Sequence, residues 1–414
     1  MTRLIKAVIS WLSTTLCIKI ISESKLKIKI LGAGVGGLST AIALKEKGFD
    51  VDIYERNMQR SDIGAGIVCW PNASFVLKEL GMLDDVSLLS GMPVKMRRFS
   101  SKGIDLGSLN ISQLDRKMGN PSLSILRKDL MAVLESRLIE CGVEVQYGKT
   151  IKKLVSSESG STSIHFENGV VDNADIIIGA DGRMASVARK FVSGNNKPVY
   201  QGFINWIGIY EASDPIFSTI EVSDYWGVGE RFGIVPISST KAYWAGGVAA
   251  PEIGEKNPLE YKPDLLELFK DWPAPIETII SETPLEGINK IYVHDHNPIE
   301  TWHRDNVLII GDAAHAPLPT SGQGACQAIE DAWHLAKLLE NHEGNIESVF
   351  QEFTKIRFPK TASITMGARQ FASSLFHTDE NESEIRNEKS KNTDYGLVVN
   401  GMAKGWSSGL PIYA

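Results

Sequence analysis

The sequence has little of what marks secreted, metal-binding or nucleic-acid-binding chains. Its 414 residues include only four cysteines, which lie far apart and form no CxxC or metal-ligand spacing: Cys17, Cys69, Cys141 and Cys326. We therefore expect reduced thiols, no disulfide framework and no metal. The formal net charge of −7 gives no basic excess for binding a phosphate chain, so no nucleic-acid partner is expected.

A hydrophobic run long enough to span a bilayer is also missing from the sequence. The segment from Ala7 to Ile18 follows Arg3 and Lys6, as the apolar part of a secretory signal would. Lys19 ends it after twelve residues, which is too short for a membrane span, and no A-x-A cleavage site follows. We expect residues 1–25 to be an N-terminal extension of a cytoplasmic protein without stable membrane insertion.

A strand, a glycine-rich turn, a helix and a second strand are predicted between Leu26 and Tyr54. The turn contains Gly32, Gly34, Gly36 and Gly37. In this spacing the first glycine makes the tight turn and the second lets the backbone approach a pyrophosphate. The last glycine lets helix and strand pack closely, and the helix N-terminus attracts the phosphates.

A carboxylate follows the second strand at the position where dinucleotide-binding folds hold a ribose. Glu55 lies eighteen residues beyond Gly37, and we assign it, with the neighbouring Arg56, to the cofactor. A glycine-rich turn without function is the alternative. Because the strands, the helix and the terminal acid all occur in order, the pattern favours a dinucleotide site.

The middle of the chain has a different character. The sequence first predicts a helix over 126–141, a strand over 143–147, a hairpin turning at 167–169 and a buried strand over 174–179. From 198 to 250, aromatic and β-branched residues then alternate with small ones. This alternation indicates an antiparallel sheet. The earlier pattern resumes with a strand over 306–310 and a helix from about 323 to 340.

We therefore predict an α/β fold in which a discontinuous Rossmann-like domain receives an inserted antiparallel β-sheet domain, followed by C-terminal helices. The first domain takes residues 26–90, 120–197 and 296–375, and the inserted domain takes 91–119 and 198–295. Residues 376–414 form a tail that is polar beyond Thr378 and is expected to be loosely ordered up to Tyr395.

Three further motifs follow the glycine turn. They are Leu126-Arg127-Lys128-Asp129-Leu130, Ile178-Gly179-Ala180-Asp181-Gly182, and the run from Ile309 through Gly311-Asp312-Ala313-Ala314-His315 to Gly322-Gln323-Gly324. Together the four motifs resemble, in family order over about residues 26–375, the para-hydroxybenzoate-hydroxylase-like FAD-dependent monooxygenases. The resemblance implies a glutathione-reductase-like FAD-binding domain.

The resemblance also implies which residues contact the cofactor: Arg127, Asp181, Asp312, Pro319, Gly322, Gln323, Gly324 and Ala325. A carboxylate at the carboxyl edge of the sheet, such as Asp312, can accept a hydrogen bond from a ribityl hydroxyl. The helix opened by Gly322-Gln323-Gly324 can stabilise negative charge on a reduced flavin. The alternatives are a helix cap for Asp312 and a surface salt bridge for Arg127. We interpret His315 as a core histidine with no catalytic role.

In the inserted domain, Gly202-Phe203-Ile204-Asn205-Trp206 and Gly229-Glu230-Arg231-Phe232-Gly233, followed by Tyr243, are similar to bacterial FAD-dependent urate hydroxylases and salicylate-hydroxylase-like enzymes. The similarity implies that Asn205, Arg231 and Tyr243 contact the substrate, with Arg231 and Tyr243 as catalytic residues near the reacting centre. A solvated strand residue is the alternative for Arg231, and sheet packing is the alternative for Tyr243.

The sequence also predicts how two strands of the inserted domain pair. A hairpin centred on Ser239 would place Arg231, Gly233, Val235, Tyr243, Ala245 and Gly247 on one face, because side chains alternate along a strand. That face would carry a cation, a phenol and mostly small residues. It would therefore leave room for a flat ring.

The resemblance implies an NAD(P)H-dependent monooxygenase that hydroxylates a small planar aromatic or purine-like anion. NADH or NADPH would reduce non-covalently bound FAD, O₂ would add at the flavin C4a, and the hydroperoxide would transfer a hydroxyl group. Two alternatives stay open: a related flavoenzyme for a non-aromatic or lipid substrate, and a non-catalytic flavin-binding interaction module. The sequence is compatible with a homodimer and does not distinguish NADH from NADPH.

Overall fold

The structure is a computed structural model that describes residues 26–60, 64–341 and 344–412. The predicted extension of residues 1–25 lies outside the described residues. The strands are β1 (Lys27–Leu31), β2 (Asp50–Tyr54), β3 (Gly66–Cys69), β4 (Lys95–Ser100), β5 (Asp105–Asn110), β6 (Leu123–Leu126), β7 (Val145–Gln146), β8 (Ile151–Ser156), β9 (Thr162–Phe166), β10 (Val171–Asn173), β11 (Ile176–Gly179), β12 (Val199–Glu211), β13 (Glu221–Trp226), β14 (Glu230–Pro236), β15 (Lys241–Ala249), β16 (Asn289–Asp295), β17 (His303–Arg304) and β18 (Val307–Ile309).

The helices alternate with these strands in the first part of the chain, and the last four helices follow the last strand. They are α1 (Val35–Glu46), α2 (Pro71–Glu79), α3 (Leu83–Leu88), α4 (Ile111–Met118), α5 (Arg127–Glu140), α6 (Val187–Ser193), α7 (Tyr261–Leu268), α8 (Ile276–Glu282), α9 (Gly324–Glu340), α10 (Ile346–Leu375), α11 (Glu380–Lys391) and α12 (Tyr395–Ser407).

The first large sheet has six strands in the order β17-β18-β11-β1-β2-β7. All its neighbouring strands run parallel except β17 and β18. Leu31 of β1 pairs with Gly179 of β11, and Gly179 pairs with Ile309 of β18, so these three strands end together at one edge. Ligands bind at this carboxyl edge in doubly wound folds, and the glycine turn and Asp312 both follow it.

The second large sheet has seven strands in the order β16-β12-β15-β14-β13-β4-β5. Five of its six neighbouring pairs are antiparallel, whereas β13 and β4 are parallel. Arg231 pairs with Gly247 and Val235 pairs with Tyr243, which is the register centred on Ser239 that the sequence predicts.

The two faces of this sheet meet different surroundings. One face buries Trp206, Phe232 and Trp244 against Leu265 and Phe269 of the α7 region. Because side chains alternate along each strand, the residues between them point the other way. The opposite face carries Asn205, Arg231, Gly233, Tyr243 and Gly247, and we call it the site face.

The expectation of a loosely ordered segment after Thr378 is wrong. Residues 380–391 form α11 and residues 395–407 form α12, capped by the side chains of Asp379 and Asp394 respectively. This segment shows little apolar periodicity because α11 docks mainly through polar groups. Arg386 donates to the carbonyl oxygen of Gly227 at 2.9 Å, and Ser390 donates to that of Leu106 at 2.8 Å.

Across the three described ranges, no helix has the length and apolar character needed to cross a membrane.

Candidate functional site

The glycine turn has the geometry that a dinucleotide requires. Gly32 has a φ of +105°, and a Cβ there would lie 2.4 Å from the carbonyl oxygen of Ala180. A Cβ on Gly37 would lie 1.9 Å from the carbonyl oxygen of Gly32, so helix α1 approaches β1 closely only because this residue is glycine. A Cβ on Gly34 would have no described heavy atom within 4 Å, which leaves that side of the turn open. Gly36 packs against Ala328 of α9.

The carboxylate of Glu55 lies against this turn. One of its oxygens accepts a hydrogen bond from the backbone N–H of Ala33 at 3.0 Å, and the other accepts from that of Asn57 at 2.9 Å. Glu55 is partly buried at the end of β2, while the side chain of Arg56 is exposed. The structure therefore brings Glu55 to the turn and leaves Arg56 at its rim.

Asp312 lies in a 3₁₀ turn, Gly311–Ala313, directly after β18. Its side chain caps no helix in the described chain; it is 41% exposed and lies 3.8 Å from Nη1 of Arg183. The helix-cap alternative is thus not what the geometry shows. Arg183 follows the motif that ends at Gly182, and sequence reasoning missed it because a cation after a turn carries no distinctive signal.

Arg127 is the first residue of α5 and joins this charged group. Burial lowers the pKa of Arg127, while the carboxylate of Asp312 raises it and the guanidinium of Arg183 lowers it. Its side chain packs against Gly64, where an added Cβ would lie 2.6 Å from Cδ of Arg127. A partly buried cation beside Asp312 does not fit a solvated surface salt bridge.

A second helix N-terminus points to the same edge of the sheet. The 3₁₀ turn Pro319–Ser321 leads through Gly322, with a φ of +62°, into α9 at Gly324. The first backbone N–H groups of this helix, beginning with Gly324 and Ala325, have no intrahelical acceptor. They provide partial positive charge for an anionic group.

The side chain of Gln323 faces the interior. Its Oε1 accepts hydrogen bonds from Asn72 at 2.9 Å and from Gln327 at 2.9 Å, and the residue is only 1% exposed. A contact between Gln323 and a cofactor would therefore use its backbone. The side chain of Asp181 is also bonded within the protein. Its carboxylate accepts hydrogen bonds from the N–H groups of Val187 and Ala188 at the start of α6, and from the hydroxyl of Ser186.

A buried ionic network connects these cofactor-side turns to helix α10. Asp331 accepts hydrogen bonds from the backbone N–H of Gly311 at 2.8 Å, from Nε of Arg357 at 2.7 Å and from the ring of His315 at 2.6 Å. Burial alone would raise the pKa of Asp331, but His315 and Arg357 hold it well below its usual value. His315 is 5% exposed and serves as the core histidine that the sequence predicts.

The second carboxylate of the network is Glu330. It accepts hydrogen bonds from Asn72 at 2.6 Å, from Arg357 at 2.6 Å and from Lys360 at 2.8 Å. Asn72 also holds Gln323, so the network fixes both the Asp312 turn and the beginning of α9. Sequence reasoning missed it because its members come from three separate helices and from the turn after β18.

On the site face, Arg231 is paired with a carboxylate that the sequence analysis did not single out. Its Nε lies 2.6 Å from Oδ1 of Asp224, which is 2% exposed and also accepts from the indole N–H of Trp226 at 2.9 Å. Nη2 of Arg231 lies 3.6 Å from the position that a Cβ on Gly233 would take. The guanidinium is therefore fixed at one end and lies along the small-residue surface. Asp224 lies on the neighbouring strand, and no spacing rule pointed to it.

Asn205 and Tyr243 lie on the two strands next to that of this arginine, on the same side of it. Gly247 pairs with Asn205 on one side and with Arg231 on the other, so these three residues form one row across the sheet. Tyr243 lies four residues before Gly247 on the same face, and its ring packs on Gly66, where an added Cβ would lie 2.0 Å from the ring. Burial raises the pKa of Tyr243 above its ordinary value, so its phenol is a neutral donor at pH 7.

These features define a dinucleotide-binding oxidoreductase fold with a polar face beside the cofactor edge. The model of the FAD binding domain family matches residues 25–349, and the chain belongs to that family. The open side of Gly34, the two helix N-termini and the partly buried cation Arg127 suit the pyrophosphate and reduced ring of FAD.

The named relatives indicate which class of reaction the chain catalyses. An FAD-dependent urate hydroxylase of Mycolicibacterium vanbaalenii is 29% identical over 386 residues, which cover 91% of this chain and 96% of that protein. Aurachin C monooxygenase/isomerase of Stigmatella aurantiaca is 30% identical over 347 residues, covering 84% and 88% respectively. The crystal structure of Klebsiella pneumoniae HpxO complexed with FAD and uric acid matches with a TM-score of 0.85 and 26% identity, covering 93% of this chain and 97% of that one. The chain is an FAD-dependent monooxygenase of aromatic or heterocyclic substrates.

Proposed function

We propose that this monooxygenase uses NADH or NADPH and O₂ to hydroxylate a small planar aromatic or purine-like anion bound on the site face. The observation that carries the proposal is the position of Arg231. Its guanidinium lies beside Gly233, so a cation faces a surface of small residues on which a flat ring can lie. The solved relative complexed with FAD and uric acid supports a ligand of this size and polarity.

Arg231 suits an anionic substrate for an electrostatic reason. Asp224 accepts a hydrogen bond from Nε, and the Nη groups carry further N–H donors that can bind a ring oxygen or nitrogen. A nearby cation favours the ionised form of a phenol or imide, and an electron-rich anion is the form that accepts oxygen readily. Neutral Tyr243 can donate a further hydrogen bond, and Asn205 can donate or accept one.

Bound FAD would supply two-electron oxidation of the nicotinamide and activation of O₂. The chain's own contribution is to orient the ring, to keep it ionised and to exclude water. Asp312, with Arg127 and Arg183 beside it, would hold the ribityl and pyrophosphate part of the cofactor. The first N–H groups of α9 would stabilise negative charge on the reduced ring.

A panel of aromatic and purine compounds, urate included, tests the proposed function directly. A substrate should accelerate NADH or NADPH oxidation and yield product in near-stoichiometric amount. If no planar anion in the panel is hydroxylated, the proposed substrate class is wrong.

The role of Arg231 is tested by Arg231→Gln, with Arg97→Gln as the matched control. Both arginines lie in the same sheet and pair with an aspartate, but Arg97 pairs with Asp105 at an exposed position. We expect Arg231→Gln to keep its FAD, to bind substrate more weakly, and to form less product per NAD(P)H because more of the reduced oxygen ends as H₂O₂. Coupling and KM equal to those of the control would place Arg231 outside the substrate site.

A further inference from the structure

The C-terminal turn of α10 crosses one end of the site face. Phe371 meets the ring of Trp226 edge-on with centroids 5.8 Å apart, and Phe376 stacks on Phe203 with centroids 4.0 Å apart. Leu375, between them, is fully buried. This helix end therefore covers the face at Trp226, on one side of Arg231, and at Phe203, which lies two residues before Asn205 on the other side.

The ring of Phe376 lies directly over Gly247. A Cβ on Gly247 would lie 2.9 Å from two ring carbons of Phe376 and 2.6 Å from Oδ1 of Asn205. Gly247 separates Asn205 from Arg231 in the row across the sheet, so the ring occupies the space between these two polar residues. A ligand that lies along Arg231 meets the ring of Phe376 at this end.

The side chain of Phe376 also lines an open cavity. It has a volume of about 420 Å³, and Gln201, Gly202, Arg369, Ser373 and Phe376 contribute to its lining. Phe376 is thus shared between this cavity and the site face.

Helix α10, which ends just before Phe376, is bonded to both domains. The hydroxyl of Thr320, in the turn that leads to α9, donates to the carbonyl oxygen of Ala368 at 3.0 Å. Arg369 makes two hydrogen bonds to the buried carboxylate of Asp295 in β16, at 2.6 and 2.8 Å. These bonds hold the ring at a fixed distance from the cofactor-side turn and from the sheet.

We propose that Phe376 determines the length of the substrate by closing the Asn205 end of the site and separating it from this cavity. The inference rests on the proposed function, because it requires the substrate ring to lie along Arg231. It assigns the cavity to the substituent of a longer substrate, which the wild-type ring excludes. A flat ring without a substituent at that end would be unaffected.

The test compares Phe376→Ala and Phe376→Leu with Phe371→Ala, which removes a ring from the last turns of α10 without opening the space over Gly247. The probes are the best ring found in the panel and the same ring carrying a linear butyl group at each free position. For the best butyl isomer, we expect Phe376→Ala to raise the ratio of its kcat/KM to that of the parent ring by about tenfold or more. One methylene group already changes the discrimination between two substrates by about tenfold. Phe376→Leu should show a smaller gain in the same direction, and it provides the answer if the alanine variant fails to fold.

The outcomes separate the two proposals. Suppose that every folded, FAD-containing Phe376 variant hydroxylates the parent ring and has the same preference between parent and butyl-substituted rings as the wild type. The role proposed for Phe376 would then be wrong, while the proposed function would stand. An equal gain in Phe371→Ala would also overturn that role, because the effect would then come from general loosening of α10. Failure of the wild type to hydroxylate any ring in the panel would instead overturn the proposed function.

Discussion

Replacement of Arg357 by leucine tests whether the buried network stabilises the cofactor site. Arg357 is fully buried and donates hydrogen bonds to Asp331, Glu330 and Gln327. Leucine retains apolar bulk but leaves two buried carboxylates with fewer partners. Breaking a buried ion pair by removing one member costs about 3–5 kcal/mol, and we expect that loss in the free energy of unfolding.

Lys355→Leu is the matched control, because Lys355 lies on the same helix, α10, and pairs with Glu352. Its side chain is 77% exposed, so this pair should contribute only about 0–1 kcal/mol. Urea unfolding of both FAD-loaded variants gives the comparison. The same samples give the dissociation constant of FAD, which should rise only for Arg357→Leu, because Asp331 holds the N–H of Gly311 beside Asp312.

The reasoning would be refuted if Arg357→Leu lost no more stability than Lys355→Leu. A large loss of stability with unchanged FAD affinity would refute only the claim that the network supports cofactor binding. In that case the network would stabilise the fold without positioning the cofactor turn.

Three further predictions concern the cofactor and pH. FAD should be bound non-covalently, so acid precipitation of the yellow protein should release all of the flavin; flavin retained in the pellet would contradict this. Asp312→Ala should weaken FAD binding at least about tenfold, because a charge-assisted hydrogen bond contributes about 1.5–3 kcal/mol, while thermal unfolding should show an intact fold; equal affinity would exclude a cofactor contact. Burial raises the pKa of Asp115 to about 6 in the folded protein, above the value of about 3.9 in the unfolded chain. The resulting stability is complete below about pH 4 and is lost as the pH rises through about 6, so Asp115→Asn should flatten the dependence of unfolding free energy on pH in that window.

Much of the fold could be predicted because its signals are local. The turn at Gly32 needs a positive φ, and the spacing to Gly37 reflects contact between adjacent elements. The pairing of β14 with β15 also follows from local information, since a short turn fixes the register of a hairpin. The ordered tail could not be predicted in this way. Helix α11 buries Ser383 and Ser390 rather than an apolar stripe, and its contacts come from distant parts of the chain.

By itself the sequence determined the class of fold, the cofactor edge and the face on which Arg231 and Tyr243 lie. Strand alternation and helix periodicity repeat over a few residues, so they specify faces and turns but not which distant side chains meet. Only the tertiary structure decided that Asp224 holds Arg231 and that Phe376 lies over Gly247. These contacts depend on how separate elements pack, and no local spacing in the chain encodes that packing.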